Sequence, residues 1–449
     1  MAVEEVFGNY KEKYAETWEP VSVNFRALVP DMNSKERYTH LIHSYPAKLL
    51  CNIPYYFLST TDMFCPYEGV VLDPFCGTGT VLLEAIASGR NAFGADANPL
   101  AILISKVKTT HIDKAKLLST LSSILSRAHR DRTVYSKEEM IDEWFSPSTI
   151  NQLHRLEVSI GKVRDVRQKD FFLLCFSNLI KKVSFADPTI SVPVKLNPNR
   201  FAEGSERRES AQFRLKTLQD VDVYDKFESI CMLNIARVDT LKEFDKRVSA
   251  EVVSKDARRL TRHLDGDELI QDNSVDLVFT SPPYAGAQKY IRASRLNLYW
   301  LGTKQPAAIR ELNDNNIGRE DYHRASVLQH IKTGIPAADE VLEKLYANGK
   351  NERACIVGTY LNEMKVALNE SYRVLKPGGY MILVIGNNKV CNLSFNTQDY
   401  LTTYLQSLGM HLEFKLIDDI KSYGLMTKRN KTANTISSEW VLVLKKPET

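Results

Sequence analysis

Two short segments carry residue types that could do chemistry together. The first is Asp73-Pro74-Phe75-Cys76-Gly77-Thr78-Gly79-Thr80. Glycines in a turn between a β-branched run and an apolar helix let the backbone pass close to a ligand, and the helix start adds free N–H donors. Asp96 ends the next apolar run, one helix further on. A carboxylate there can hold the two hydroxyls of a ribose. The third position after Gly79 is Leu82, so the dinucleotide fingerprint lacks its third glycine and the ligand reads as a nucleoside, not NAD. The second segment is Thr280-Ser281-Pro282-Pro283-Tyr284, directly after Val275-Asp276-Leu277-Val278-Phe279. Consecutive prolines fix φ, lack N–H donors and hold the chain extended, leaving rigid carbonyl acceptors. A small hydroxyl, Ser281, and an aromatic face, Tyr284, complete a cradle for a flat molecule bearing an amino group. The ring would stack on Tyr284, and the amine hydrogens would bond to Ser281 and the Pro282 carbonyl.

The elements around these segments must bring them together. Val70-Val71-Leu72 reads as a buried parallel strand, and Val81 to Ala87 as a helix stopped by Gly89. Ala92 to Ala95 is a second strand, and a second helix runs from Pro99 to Lys108. This βαβα text opens a doubly wound α/β sheet. The alternation then pauses. Residues 111–250 read as a mainly helical inserted subdomain (Leu117 to Ala128, Thr149 to Val163, Phe171 to Val183), interrupted by a Pro- and charge-rich loop from Asp187 to Glu209. Strands resume at Glu251 to Asp256 and Val275 to Phe279. A polar excursion over 303–350 follows, then a helix from Gly358 to Leu375, a turn at Lys376-Pro377-Gly378-Gly379 and a strand from Tyr380 to Ile385. A helix from Thr397 to Ser407 and strands from His411 to Ile417 and Glu439 to Leu444 close the pattern. The expected organisation is an N-terminal segment (1–40, with Pro20 and Pro30 breaking any long helix), a cofactor-binding half (41–110), the insertion (111–250) and a catalytic half (251–449).

Composition sets the bounds. At roughly 150 residues per domain, 449 residues allow two to three domains. A hydrophobic fraction of 43% supports a large core, which argues against disorder and small disulfide scaffolds. No apolar run is long enough to span a bilayer, and the first thirty residues, with Glu4, Glu5, Glu12 and Glu16, contain no signal-peptide core. Seven cysteines at 51, 65, 76, 175, 231, 355 and 391 form no C-x-x-C and pair with no histidine in a ligand spacing. They read as free thiols of a cytoplasmic protein without a metal. A net charge of +4 permits a nucleic-acid partner without requiring one.

On these segments the sequence resembles the DNA amino-methyltransferases, which use S-adenosyl-L-methionine. The resemblance implies a class I methyltransferase (Rossmann-like) fold with a seven-stranded sheet. It assigns the cofactor's methionine part to the turn Asp73, Pro74, Phe75, Gly77, Gly79 and Thr80, with its ribose at Asp96 beside Asn98. Asp256 and Ala257, after the third strand, would meet its adenine. His43-Ser44-Tyr45-Pro46-Ala47-Lys48 is similar to the element that closes over the methionine, which makes His43, Tyr45, Pro46 and Lys48 cofactor candidates. Ser281, Pro282, Pro283 and Tyr284 would form the catalytic loop holding the target base. The insertion lies between the second and third strands, a departure from the family's arrangement, so 111–250 and 303–350 compete as the region that recognises the target.

The implied partner is double-stranded DNA, with a cognate restriction endonuclease as companion. A base inside a duplex is out of reach and must be flipped out, where Tyr284 offers a stacking face. From Ala285 to Arg310 there are five basic residues, among them Lys289, Arg292 and Arg295, and no acidic ones. Arg200 and Arg207 in the insertion, and Lys428 and Arg429 near the end, are further candidates for phosphate contact. Methylation at cytosine carbon 5 needs a thiolate that follows a proline in its own family, and here no cysteine follows one. Within the family Ser281 resembles the enzymes acting on cytosine N4, while Asp or Asn at that position is commoner in those acting on adenine N6. The alternatives are an adenine-N6 enzyme, an RNA methyltransferase similar to a tRNA guanine-N2 group, and a non-catalytic DNA-binding subunit.

Overall fold

The computed structural model describes residues 3–29, 37–46, 48–136, 139–286, 289–320, 330–419 and 438–448. Among them eight strands form one sheet: β1 (Val21–Val23), β2 (Val70–Asp73), β3 (Asn91–Ala95), β4 (Ala250–Ser254), β5 (Val275–Thr280), β6 (Leu375–Ile385), β9 (His411–Asp419) and β10 (Ser438–Lys445). A separate hairpin pairs β7 (Asn388–Val390) with β8 (Leu393–Phe395). The sheet order is β1-β9-β10-β6-β5-β2-β3-β4. Strands β2 to β6 pair in parallel, and β10 enters antiparallel between β6 and β9. The chain order reverses at the β2/β5 boundary, which is where ligands sit in open α/β sheets.

Alternation along the central strands explains their burial on both faces. Val71, Leu277, Phe279, Ile382, Val384, Val441 and Val443 face one layer, which holds Phe7, Phe57 and Val81. Leu72, Val278, Met381, Leu383, Ile385, Leu442 and Leu444 face the other, against Tyr360, Met364 and Leu401. Successive side chains of a strand point to opposite faces, so a strand covered on both must be apolar throughout.

Two expectations need correction. The sheet has eight strands, not seven, because Val21–Val23 adds an edge strand parallel to β9. The N-terminal segment contains a helix over Val3–Thr17 that buries Phe7 and Tyr14 and ends ahead of Pro20. Lys376-Pro377-Gly378-Gly379 is not a turn ahead of a strand but lies inside β6. The pairing jumps from Val275↔Leu375 to Leu277↔Tyr380, so these residues bulge out of the ladder. Gly378 has φ +75, and a Cβ on Gly379 would lie 2.9 Å from the Asp276 carbonyl.

The insertion is helical, with Lys114–Arg130, Pro147–Gly161, Val166–Val183, Glu206–Thr217 and Val223–Asp239 as its longer helices. Its core includes Leu117, Leu153, Phe172, Phe176 and Phe227, joined by Leu100 and Ile104 of the helix Pro99–Lys108 and by Tyr299 and Trp300 of the helix Tyr290–Trp300. The Asp187–Glu209 stretch is pinned by a bridge between Ala186 and Lys195 and by a 3-10 turn at Pro198–Arg200. The polar excursion carries helices Pro306–Asn315 and Pro336–Ala347.

Candidate active site

The ends of β2, β3, β4 and β5 open into one cleft. Each strand releases its chain at the same edge: Pro74 follows β2, Asp96 follows β3, Asp256 lies two residues past β4, and Ser281 follows β5. The cleft is lined by Tyr45, Pro74, Phe75, Gly77, Asp96, Asn98, Asp256, Ala257, Ser281 and Pro283 from the two sequence segments and their expected helpers. It encloses about 670 Å³, counting space open to solvent.

The glycine turn is held from two sides. The Gly77 N–H donates to Asp96 Oδ2 at 2.9 Å, and its carbonyl accepts from Ser105 Oγ at 2.8 Å. Gly79 sits at φ +69, where a Cβ would meet Ser105 atoms at 3.0–3.1 Å. That crowding and the left-handed backbone together require glycine. Asp96 also accepts from the Asn98 N–H at 2.8 Å. Burial pushes its carboxyl up to about 6, partly offset by these two N–H groups. Asn98 caps the next helix through Leu100 N and donates from its amide to the Tyr45 hydroxyl at 2.9 Å. Tyr45 is thereby fixed as part of the wall.

Asp73, Gly79 and Thr80 are not among the residues lining the cleft; they stand behind it. Asp73 is buried, and its Oδ1 accepts from Phe75 N at 3.1 Å and from Thr280 Oγ1 at 2.6 Å. Burial raises this carboxyl to about 7. Cys76 is buried against Ser105, as a small packing residue would be.

Among the described residues of 43–48, Tyr45 alone lines the cleft. His43 is buried, with Nε2 3.1 Å from Ser177 Oγ of the insertion. Lys48 donates back to the carbonyls of His40 and His43. Pro46 is not in the lining, and Ala47 lies outside the described residues.

In the second segment, Ser281 and Pro283 face the cleft and Pro282 is buried beneath them. Tyr284 lies beside the cleft, not in its wall. Its ring packs against the core, and its hydroxyl donates to Glu439 Oε1 of β10 at 3.2 Å. Burial raises the acid of Glu439, opposed by that hydrogen bond.

Asp256 is gripped by Arg258. The guanidinium donates from Nε to Oδ1 and from NH2 to Oδ2, both at 2.9 Å, and also reaches Glu363 and the Asn315 carbonyl. Lys255, Tyr290, Asn315, Asn316 and Ile317 line the cleft without having been expected there. Tyr290 stands only six residues after Tyr284, and that proximity was a usable signal. Asn315 to Ile317 come from the polar excursion, and no pattern in their own residue types marks them.

Of the basic candidates, Lys289 and Arg292 both pair with Glu320, and Arg295 lies over the Trp144 ring at 5.5 Å. Arg200 and Arg207 are exposed on the insertion. Lys428 and Arg429 lie outside the described residues. Among the described residues no group of three or more His, Cys, Asp or Glu is arranged to hold a metal ion, and no helix is long and apolar enough to cross a membrane.

The donor set suits a nucleoside that carries a cation. Asp96 is a half-buried carboxyl just past a strand end, Asp256 can receive an amine, and Tyr45, Phe75 and Tyr290 supply aromatic surface. The neighbouring Ser281–Pro283 ledge offers acceptors to a second, flat amine.

Comparison with known proteins shows the family of the chain. The family described as DNA methylase matches residues 9–107 and 275–449, more than half of the chain. The chain is similar to the type II methyltransferase M.MvaI of Kocuria varians, with 27% identity over 446 residues covering 92% of each protein. It is also similar to the type II methyltransferase M.BsoBI of Geobacillus stearothermophilus, with 23% identity over 84% of this chain and 78% of that one. A solved SAM-dependent methyltransferase of Methanosarcina mazei covers 86% of this chain and 96% of its own at 10% identity, with a TM-score of only 0.29.

Proposed function

The chain belongs to the DNA methylase family, and on that premise we propose that it methylates the exocyclic N4 of cytosine in duplex DNA, with S-adenosyl-L-methionine as donor. The observation that carries this reading is the shared cleft: Gly77 and Asp96 line it together with Ser281 and Pro283. When bound, the sulfonium of the cofactor supplies an electrophilic methyl group. Asp96 accepts the ribose hydroxyls, Asp256 receives the adenine amine, and the glycine turn admits the methionine part. Tyr45 and Phe75 close the wall.

The amine of cytosine is a poor nucleophile because its lone pair delocalises into the ring. Ser281 Oγ and the Pro282 carbonyl accept its two hydrogens and turn the lone pair out of conjugation. Methyl transfer to that nitrogen from a cofactor held by Asp96, Asp256 and the glycine turn would give the methylated amine and release one proton from it, while Ser281 Oγ and the Pro282 carbonyl hold the amine in line. No covalent enzyme intermediate is needed, and positioning supplies most of the rate. The base is everted from the duplex to reach the Ser281–Pro283 ledge, and Tyr284, packed against the core beside the cleft, stacks on it only if its ring turns outward from that place.

The serine at position 281 supports cytosine over adenine. The similarity to proteins named as type II methyltransferases supports a modification role beside a cognate restriction endonuclease. The test is to incubate the protein with labelled cofactor and mixed-sequence duplex DNA, digest to nucleosides and identify the product. N4-methylcytosine is expected. N6-methyladenine alone would overturn the choice of base, transfer to tRNA but not duplex DNA would overturn the substrate, and no transfer at all would leave only a binding role.

A further inference from the structure

Residues Asn315–Glu320 form a strap with three duties. Asn315, Asn316 and Ile317 line the cleft. Gly318 sits at φ +80 against the catalytic loop, so close that a Cβ would lie 2.9 Å from the Tyr284 carbonyl and 3.3 Å from Pro283. Arg319 pairs with Glu363 at 2.9 Å, and the Asn315 carbonyl accepts from Arg258. The strap is thus anchored without its last residue.

That last residue, Glu320, makes a different kind of contact. Its Oε2 is 2.8 Å from Lys289 Nζ and its Oε1 is 2.8 Å from Arg292 NH1. Two cations converge on the two oxygens of one anion. They stand at the start of the helix Tyr290–Trp300, five and eight residues after the loop that ends at Tyr284. Both cations are largely exposed, at 43% and 56%, while the carboxylate is 17% exposed. Exposed ion pairs are weak, so an arriving anion can displace the carboxylate at little cost. A phosphodiester has the same feature that the cations grip, two non-bridging oxygens sharing one negative charge.

We propose that Lys289 and Arg292 form a seat for a single DNA phosphate, and that Glu320 occupies this seat in the free protein as an internal stand-in. The inference rests on duplex DNA being the substrate. DNA binding exchanges one anion for another at the seat while Arg258 and Arg319 keep the strap in place. Glu320 therefore lowers DNA affinity in a sequence-independent way, and the seat grips the backbone beside the everted base.

The experiment is fluorescence anisotropy of a labelled duplex with the full chain, across a range of salt concentrations. Glu320→Gln is expected to tighten binding about three- to tenfold, the loss of two exposed ion pairs. Lys289→Ala/Arg292→Ala is expected to weaken binding and to reduce the slope of log K against log salt by about one, the value for one phosphate and not two. In that double-variant background Glu320→Gln should have no further effect. Cofactor affinity, read by calorimetry, should stay within about twofold in each variant, reporting an intact strap. Unchanged or weaker DNA binding by Glu320→Gln, or an equal gain in the double-variant background, overturns the seat. Methyl transfer by the unaltered protein tests the substrate separately: if it modifies duplex DNA while Glu320→Gln binds no tighter, only the seat falls.

Discussion

Thr280 Oγ1 donates to Asp73 Oδ1 at 2.6 Å, joining the last residues of β5 and β2 although they are 207 positions apart in sequence. The same Asp73 oxygen accepts from Phe75 N. One buried carboxylate therefore sets the exit of both loops that meet at the cleft, the glycine turn and the Ser-Pro-Pro-Tyr segment.

Thr280→Val should remove the donor, keep the shape and leave the buried carboxylate short of a partner, at about 1–3 kcal/mol of stability. The turnover number should fall more than cofactor affinity, because β5 feeds the catalytic loop. Chemical denaturation and steady-state kinetics check this. Unchanged turnover at full occupancy would mean the two loops are not aligned through this bond.

The same acid predicts a pH dependence. Asp73 is raised from 3.8 to about 7 by burial, so its folded form holds a proton that the unfolded chain gives up earlier. Its contribution to stability is full below the unfolded value and is lost as pH rises towards about 7. Asp73→Asn removes this titration and can still accept both hydrogen bonds. The melting temperature of Asp73→Asn relative to the unaltered protein should rise between pH 4 and pH 7, as scanning calorimetry would read. A flat difference across that window contradicts it.

Asp96 predicts a separate effect on binding. Its carboxyl is raised to about 6 by burial, and, on the proposal that it holds the ribose, the ionised form accepts the two hydroxyls more strongly than the protonated one. Affinity for S-adenosyl-L-methionine should therefore fall as pH drops below about 6. Asp96→Asn should bind more weakly and show little pH dependence. Calorimetric titration at several pH values compares the two, and parallel curves for both proteins would assign the pH effect elsewhere.

The two glycines of the turn should differ. Both have positive φ, but a Cβ on Gly77 meets nothing nearer than 3.9 Å, while one on Gly79 meets Ser105 at 3.0 Å. Gly79→Ala should cost about 1–2 kcal/mol from the left-handed backbone alone, and more from the clash. Gly77→Ala should be the milder in thermal stability. Equal losses would show that backbone conformation alone governs this turn.

The segments that could be read from sequence were those where one physical cause dominates. β2, β5 and β10 are β-branched runs buried on both faces, and their apolar text leaves little choice. Asp73, Gly77, Asp96 and Ser281 stand at strand ends, so reading the strands fixed their neighbourhood. Val21–Val23 escaped because three residues carry no period, and β6 was cut short because Pro377 and the two glycines spell a turn. The bulge that keeps them in the strand depends on the neighbouring Asp276 backbone, which local text does not contain. His43 and Lys48 were expected to face the cofactor, but their partners, Ser177 and nearby backbone carbonyls, are visible only once the insertion packs against them. Glu320 is silent in sequence for the same reason: the acid that meets Lys289 lies 31 residues away.

Tyr299 and Trp300, each 1% exposed, are buried in the core of the insertion although they belong to the helix that follows the Ser281–Tyr284 segment. Leu100 and Ile104 enter it from the helix that follows Asp96. The helical region is therefore no removable cassette. Excising 111–250, or exchanging it for the equivalent stretch of a relative, would strip the helices Pro99–Lys108 and Tyr290–Trp300 of their apolar cover, so any re-engineering of this enzyme has to transplant the contacting faces along with the helices.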